Sequence, residues 1–181
     1  MALRRLPDRD LVRQLLDYDP ATGVLTWRPR KRDAFATTGA WRMWATKFAG
    51  RQAGHVTRKK YRRIKIGTAM YLAHRLAWLH AKGEPVPHEL DHIDRDKMNN
   101  RIANLRAATQ SQNRANIPAH KSNKLGVKGV FLDEHGRYLA VLVVNGQRKF
   151  RKRFKALDEA AEAYRAAALI HYGEFARTEN A

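Results

Sequence analysis

The sequence predicts an α+β protein built from two modules, and three observations lead there. Helix-period apolar spacing alternates with short strand-like runs over residues 1–118. Three strand-like runs followed by one Ala-rich helix fill residues 125–178. Between them, residues 119–124, "AHKSNK", are small and polar, as a linker should be.

The elements follow in order. "PDRDLVRQLL" (7–16) offers Asp8 as an N-cap, with Leu11, Val12, Leu15 and Leu16 on one stripe, so a short helix is expected before the turn "DPATG". "VLTW" (24–27) reads as a strand. Residues 28–63 hold twelve Lys or Arg against one Asp, interleaved with Trp41, Trp44, Phe48 and Tyr61. That mixture suits phosphate contact with stacking, and equally well an aromatic core under a solvated basic face. "YRRIKI" (61–66) alternates basic and apolar residues, as a half-buried strand does. "MYLAHRLAWLHAKG" (70–83) predicts a helix through Leu72, Leu76 and Leu79 that stops at Gly83, and "EPVP" after it breaks any continuation. Thr109 followed by Gln112 forms a capping-box pattern, so a helix should begin near 109 and end before Pro118. In the second module, "GVKGVFL", "RYLAVLVV" and "QRKFRKRF" are separated by the turn signals "DEHG" and "NG". "LDEAAEAYRAAALIHYG" (157–173) then predicts a helix burying Ala160, Ala161, Tyr164, Ala167 and Ala168.

Composition narrows the function. A hydrophobic fraction of 44% is that of a folded chain. A balance of 36 Lys and Arg against 17 Asp and Glu leaves a net charge of +19. Such an excess repels itself unless a polyanion offsets it, which makes nucleic acid the leading partner. With no cysteine, disulfides, thiolate zinc sites and cysteine nucleophiles are excluded together. The first residues lack an apolar core long enough for a signal peptide, and no stretch approaches a membrane span, so a soluble cytoplasmic protein with no membrane partner is expected.

One stretch stands apart. "DHIDRDKMNNRIANL" (91–105) packs three Asp, one His and three Asn around isolated apolar residues. It is short of helix formers and too polar for an ordinary buried strand. Just before it, "HELDH" (88–92) formally matches the zinc-protease pattern H-E-x-x-H, which requires both histidines on one helix face. Pro85 and Pro87 and the run of Asp and Asn that follows argue against any such helix.

Asp91–His92, then Asn104 and Asn113, within "HRLAW…DHIDRDKMNNRIANLRAATQSQN" and with "YDPATGVLTWR" upstream, resemble the phage and intron-type His-Asn-His (HNH) homing endonucleases, in the variant whose last His is Asn. The resemblance spans about residues 15–117. It implies a ββα-metal fold, with its core near 86–117, and double-stranded DNA as substrate. By resemblance His92 is the general base that takes a proton from the attacking water, and Asn104 holds its ring. Asp91 and Asn113 would bind one divalent metal, Mg²⁺ or Mn²⁺, which suits hard oxygen donors. A structural zinc held by cysteines, which some relatives add, is not expected. His74 and Arg75, in the shared "HRLAW" segment, are candidates for phosphate contact, although His74 is as readily a structural residue. One active site per chain favours a monomer that nicks.

The second module resembles the Apetala-two domain of plant ethylene-response factors through "KGV", "GRYLAVL" and "FKALDEAAEAYRAAALIHYG". That family lays a three-stranded antiparallel sheet in the major groove with its helix behind. Aligned this way, Lys128, Arg137, Tyr138, Arg148, Phe150 and Lys152 would face DNA. Strict alternation places Arg148, Phe150 and Lys152 on one face of the third strand, and a one-residue slip would swap the faces. This chain has no Trp in those strands, where the plant family reads bases, so phosphate binding is expected more than base readout. A non-catalytic DNA-binding regulator is the alternative from another class, and an RNA-directed protein a third.

Overall fold

In the computed structural model, residues 5–83 and 86–177 are described; Pro85 and residue 178, on which two expectations fall, lie outside them. The chain divides into two compact units between Ala107 and Ala108. That division falls ahead of the linker foreseen at 119–124, and the helix containing Asn113 groups with the second unit.

In the first unit, α1 (Arg9–Leu15) starts at Asp8, whose carboxylate accepts from the Asp10 N–H at 2.7 Å. It runs directly into β1 (Leu16–Asp19), which pairs antiparallel with β2 (Val24–Trp27). The turn is held by Asp19, which accepts from the Ala21 N–H and the Thr22 hydroxyl. A helix that no apolar periodicity announces, α2 (Thr38–Phe48), follows, capped by the Thr37 hydroxyl. Its Trp44 packs edge-on to Trp27 at 6.3 Å and beside Phe35 and Phe48, while Trp41 donates to the Arg30 carbonyl at 2.9 Å. Of these, Trp44 packs against the unit's core, while Trp41 is half-buried and Phe48 is exposed. Arg30 sits over the Trp44 ring at 4.8 Å, so the basic and aromatic residues of this segment partly satisfy each other.

β3 (His55–Val56), β4 (Arg62–Ile66) and β5 (Ala69–Leu72) form an antiparallel sheet in that order. Ile64 and Ile66 point into the core and alternate with the exposed Arg63 and Lys65, as the pleat requires. The helix expected from residue 70 starts only at Ala73, as α3 (Ala73–Lys82). Met70–Leu72 are instead claimed by β4, with Tyr71 opposite Ile64, because pairing and burial override local spacing. Gly83 ends α3 in the left-handed conformation at φ 68°. α3 is buried from Ala73 to Trp78 and packs with Val12, Leu16, Leu25, Ile64, Leu90 and Leu105 in the unit's core. Last comes the two-stranded pair β6 (Glu89–His92) and β7 (Leu105–Ala108).

In the second unit, α4 (Gln110–Asn116) carries the full reciprocal capping box between Thr109 and Gln112. β8 (Val130–Leu132), β9 (Tyr138–Val144) and β10 (Gln147–Phe154) form a sheet in the order β10-β9-β8. Asn145 and Gly146 both have positive φ, 50° and 79°, as a tight type I′ hairpin turn demands. α5 (Leu157–Tyr172) packs on one face of this sheet, and the five residues expected on its inner side are the five that are buried. Small alanines there let the helix approach Val130, Ala140 and Leu142 closely. Gly129 is needed for the same reason: at φ 70°, a Cβ would come within 1.9 Å of the Tyr164 ring.

The sheet's faces differ from strict alternation. A β-bulge lies between Arg148 and Phe150. Phe150 is opposite buried Leu142 and Lys152 opposite buried Ala140, so both lie on the α5 side. Arg148, Arg151 and Arg153, opposite Val143, Val141 and Leu139, form the open face. Arg148 is therefore separated from Phe150 and Lys152, with which the sequence had grouped it. No helix among the described residues is long and apolar enough to cross a membrane.

Candidate active site

β6 delivers Asp91 and His92 side by side, and both are buried, 8% and 6% exposed. Within the polar stretch only Asp91, His92, Asn100 and Leu105 are buried, while Ile93–Lys97 are exposed. The stretch closes on itself through side-chain bonds that take the place of regular structure. The Asp94 carboxylate accepts from the Asn99 amide at 2.6 Å, the Asn104 amide at 2.8 Å and the Asp96 N–H at 2.8 Å. Asn104 Oδ1 accepts in return from the Asp94 N–H, and the Asn104 carbonyl accepts from the Ile93 N–H. Burial pushes the Asp94 carboxyl up, but these three donors together hold it below its usual range. The abundance of Asp and Asn here is explained by loop architecture.

A residue of the same polar stretch holds His92. Its Nε2 lies 3.2 Å from Asn100 Oδ1, and Asn100 is 3% exposed. Asn104, expected in that role, braces the loop instead. An amide oxygen only accepts, so in this contact the neutral ring carries its proton on Nε2. Burial drives the His92 pKa below the ordinary histidine value, against the opposing pull of Asn100 and of Asp94, Asp91 and Asp96. The ring is therefore neutral near pH 7 and able to accept a proton.

His74, from the first turn of α3, stands perpendicular to His92 with ring centres 5.1 Å apart. Burial first, then His92 and Arg75, lower its pKa to about 3. Tyr61 completes the cluster at 5.6 Å from His74 and 6.4 Å from His92, and burial, then the Asp91 charge, raise its hydroxyl. Arg75 is buried and donates to the carbonyls of Pro87 at 2.8 Å and His88 at 3.1 Å, which ties α3 to the approach of β6. The two residues of "HRLAW" are thus internal supports of the site in this structure.

Asp91 Oδ2 accepts from both Nε and Nη2 of Arg106, at 3.0 and 2.8 Å. This fork compensates a buried carboxylate and fixes its orientation. Arg106 was not singled out in the sequence, although its place on β7 beside β6 follows from a hairpin. Asn113 is half-buried on α4 in the second unit. Among the described residues no three His, Asp or Glu cluster as metal ligands. The available donors are amide and carboxylate oxygens, which as chemistry suit a hard divalent ion completed by water and phosphate. β6 being a strand, "HELDH" cannot form the helical zinc-protease motif.

The β1–β2 hairpin supports this site from behind. The Tyr18 hydroxyl donates to the Asn100 carbonyl at 2.9 Å. Gly23, at φ 75°, lies so close that a Cβ would meet Arg101 N at 2.4 Å and the Asn100 carbonyl carbon at 2.5 Å. These contacts give "YDPATG" its structural use. Gly23→Ala should cost about 2–4 kcal/mol, from left-handed strain and backbone collision together. A melting temperature within about 2 °C of wild type would contradict this close approach.

In the second unit, Lys128 donates to the carbonyls of Arg114, Ala115 and Ile117, closing the end of α4, and burial lowers its pKa to about 8. Lys128 is thus engaged as a helix cap instead of standing on an open sheet face. Arg137 is exposed, and its backbone N–H donates to Asp133. Tyr138 and Phe150 pack against the second core, and Lys152 lies exposed at the β10 edge over the Phe154 ring.

Residues 71–115 match the family profile described as HNH endonuclease. An uncharacterised HNH endonuclease of Acanthamoeba polyphaga mimivirus is 39% identical over 87 residues, which is 48% of this chain and 44% of that protein. The match thus spans less than half of that relative. Protein 3.8 of Escherichia phage T7 is 35% identical over 108 residues, 58% of this chain and 87% of that protein. No solved structure matches. The family match ends at residue 115, before the three-stranded sheet of the second unit begins.

Proposed function

The chain belongs to the HNH endonuclease family, a family of nucleases, and on that premise we propose that it is a metal-dependent DNA endonuclease that hydrolyses one phosphodiester bond per encounter. The observation that carries the reading is the buried His92, oriented by Asn100 and next in sequence to the Arg106-clamped Asp91. In this reading His92 takes a proton from the attacking water, and Asn100 and His74 keep its ring in place. Asn104 acts through the loop it braces. Asp91 offers a carboxylate to a divalent ion, Mg²⁺ or Mn²⁺, and Asn113 is carried over as its second ligand by the family resemblance alone. When bound, that ion supplies Lewis-acid stabilisation of charge developing on the phosphate and the leaving 3′ oxygen. Products are 5′-phosphate and 3′-hydroxyl ends. The second unit anchors DNA as an Apetala-two-like sheet domain, presenting Arg148, Arg151 and Arg153 on its open face. A phage-type mobile nicking enzyme acting in a bacterial or infected-host cytoplasm, as a monomer, fits this assignment.

Supercoiled plasmid incubated with the protein and Mg²⁺ or Mn²⁺ should yield open circles, with none in EDTA. Direct linearisation would assign paired action. Tight binding without cleavage under either metal would favour the non-catalytic regulator.

A further inference from the structure

The basic turn between β3 and β4 lies outside every role assigned so far. Residues 57–65, "TRKKYRRIK", contain six Lys or Arg and no Asp or Glu. The turn is built: the Thr57 N–H donates to the Tyr61 carbonyl at 2.8 Å, the Lys60 N–H to the Thr57 carbonyl at 2.8 Å, and the Tyr61 N–H to the Thr57 hydroxyl. Arg58, Lys59, Lys60, Arg63 and Lys65 are all exposed. Among the described residues none of these five is in an ion pair. Like charges held this close repel, so an uncompensated cluster is costly unless a polyanion covers it.

The cluster's position is what gives it meaning. Tyr61, at the end of the turn, is the residue whose ring flanks His74 and His92. Lys97, from the loop that carries Asn99 and Asn100, places its ammonium 4.7 Å from the Tyr61 ring centre and donates to the Lys59 carbonyl. The turn is thus fastened on both sides to the elements that hold His92. Arg63 and Lys65, alternate residues of β4, stand about 6.7 Å apart on one exposed face, so both can reach the same stretch of phosphate backbone.

We infer that the Thr57–Lys65 turn and strand form a phosphate clamp that grips the DNA backbone beside the scissile bond, with Arg58, Lys59, Lys60, Arg63 and Lys65 as its contacts. This rests on the reading of His92 as the hydrolytic centre, and it names where the cut strand runs. The clamp positions DNA and carries no base information.

The test uses the full chain and a fluorescent duplex in EDTA, titrated over a series of KCl concentrations. One variant removes charge, Arg58→Gln, Lys59→Gln and Lys60→Asn. Asparagine is chosen at 60 because Lys60 has φ 59°, which Asn tolerates. A second variant retains charge, Arg58→Lys, Lys59→Arg and Lys60→Arg. The neutral variant should bind about tenfold or more weakly at 0.15 M salt, with the slope of log Kd against log salt shallower by about 2–3. The charge-retaining variant should match wild type. An unchanged slope in the neutral variant, equal loss in both variants, or a loss confined to an RNA duplex would overturn the clamp. Because the chain has no cysteine, Lys60→Cys creates a unique thiol for a tethered iron–EDTA probe. Its strand scission should fall within a few nucleotides of the protein's own nick, and scission remote from the nick would also overturn it. If no nick forms, the nuclease reading fails, while the binding series still decides the clamp.

Discussion

His92→Ala lowers cleavage by about 10²–10⁴-fold while leaving duplex affinity nearly unchanged. The range is that of a lost general base, which acts in the transition state and contributes little to docking. The structure sharpens the expectation, because His92 is only 6% exposed and so adds little to the area that contacts DNA. Truncation also leaves Asn100, Tyr61 and His74 around a small cavity, so the variant's melting temperature should be recorded beside its activity. The measurements are nicking rate at saturating DNA and binding in EDTA. Equal loss of cleavage and binding would refute the assignment of His92 as base.

The second large effect concerns the C-terminal unit. Deleting residues 124–181 looks, from the sequence, like the removal of a separate DNA anchor. Within the second unit, however, Lys128 caps α4 through three carbonyls, and the Tyr172 hydroxyl meets the Ser111 hydroxyl at 3.0 Å. The deletion takes this support from the helix that carries Asn113. We expect it to lose cleavage by more than about 100-fold as well as affinity, because in the proposed reading Asn113 is a metal ligand and misplacing it is enough to do so. The anchor role is separated by Arg148→Gln, Arg151→Gln and Arg153→Gln together. That triple variant leaves Lys128 and Tyr172 in place. It should bind more weakly, with a salt slope reduced by about 2–3, yet nick at a near-normal rate once DNA is saturating. Affinity and slope equal to wild type would remove the open face from the DNA interface.

Much of the fold was legible because it rests on local rules. Asp8, Thr109 with Gln112, the Asn145–Gly146 turn and Gly83 each act within a few residues, through a cap or a left-handed φ, and each stands where the pattern placed it. The alternation of β4 and the alanine face of α5 followed in the same way, since 2.0 and 3.6 periods are properties of single elements. The start of α3 was not legible, since Met70–Leu72 answer to a neighbouring strand. Nor was the bulge at Arg148–Phe150, which moves Arg148 to the opposite face from Phe150 through one extra residue.

The candidate site divides along the same line. Residue types and their order already set the kind of chemistry on offer: a histidine beside an aspartate, oxygen donors, no thiols, and a net charge of +19 that calls for a polyanion. Which residue supports which is set by long-range packing. Asn100 replaced Asn104 at His92, Arg106 emerged as the partner of Asp91, and His74 and Arg75 turned inward. Tyr18, Gly23 and Tyr61 reach the site from segments 31 to 82 positions away in the chain, since Tyr18 meets Asn100 and Tyr61 meets His92. Residue type and spacing encode what a side chain can do. Which buried polar group satisfies which depends on long-range packing, where every unpaired donor or carboxylate is costly and must find its partner across the fold.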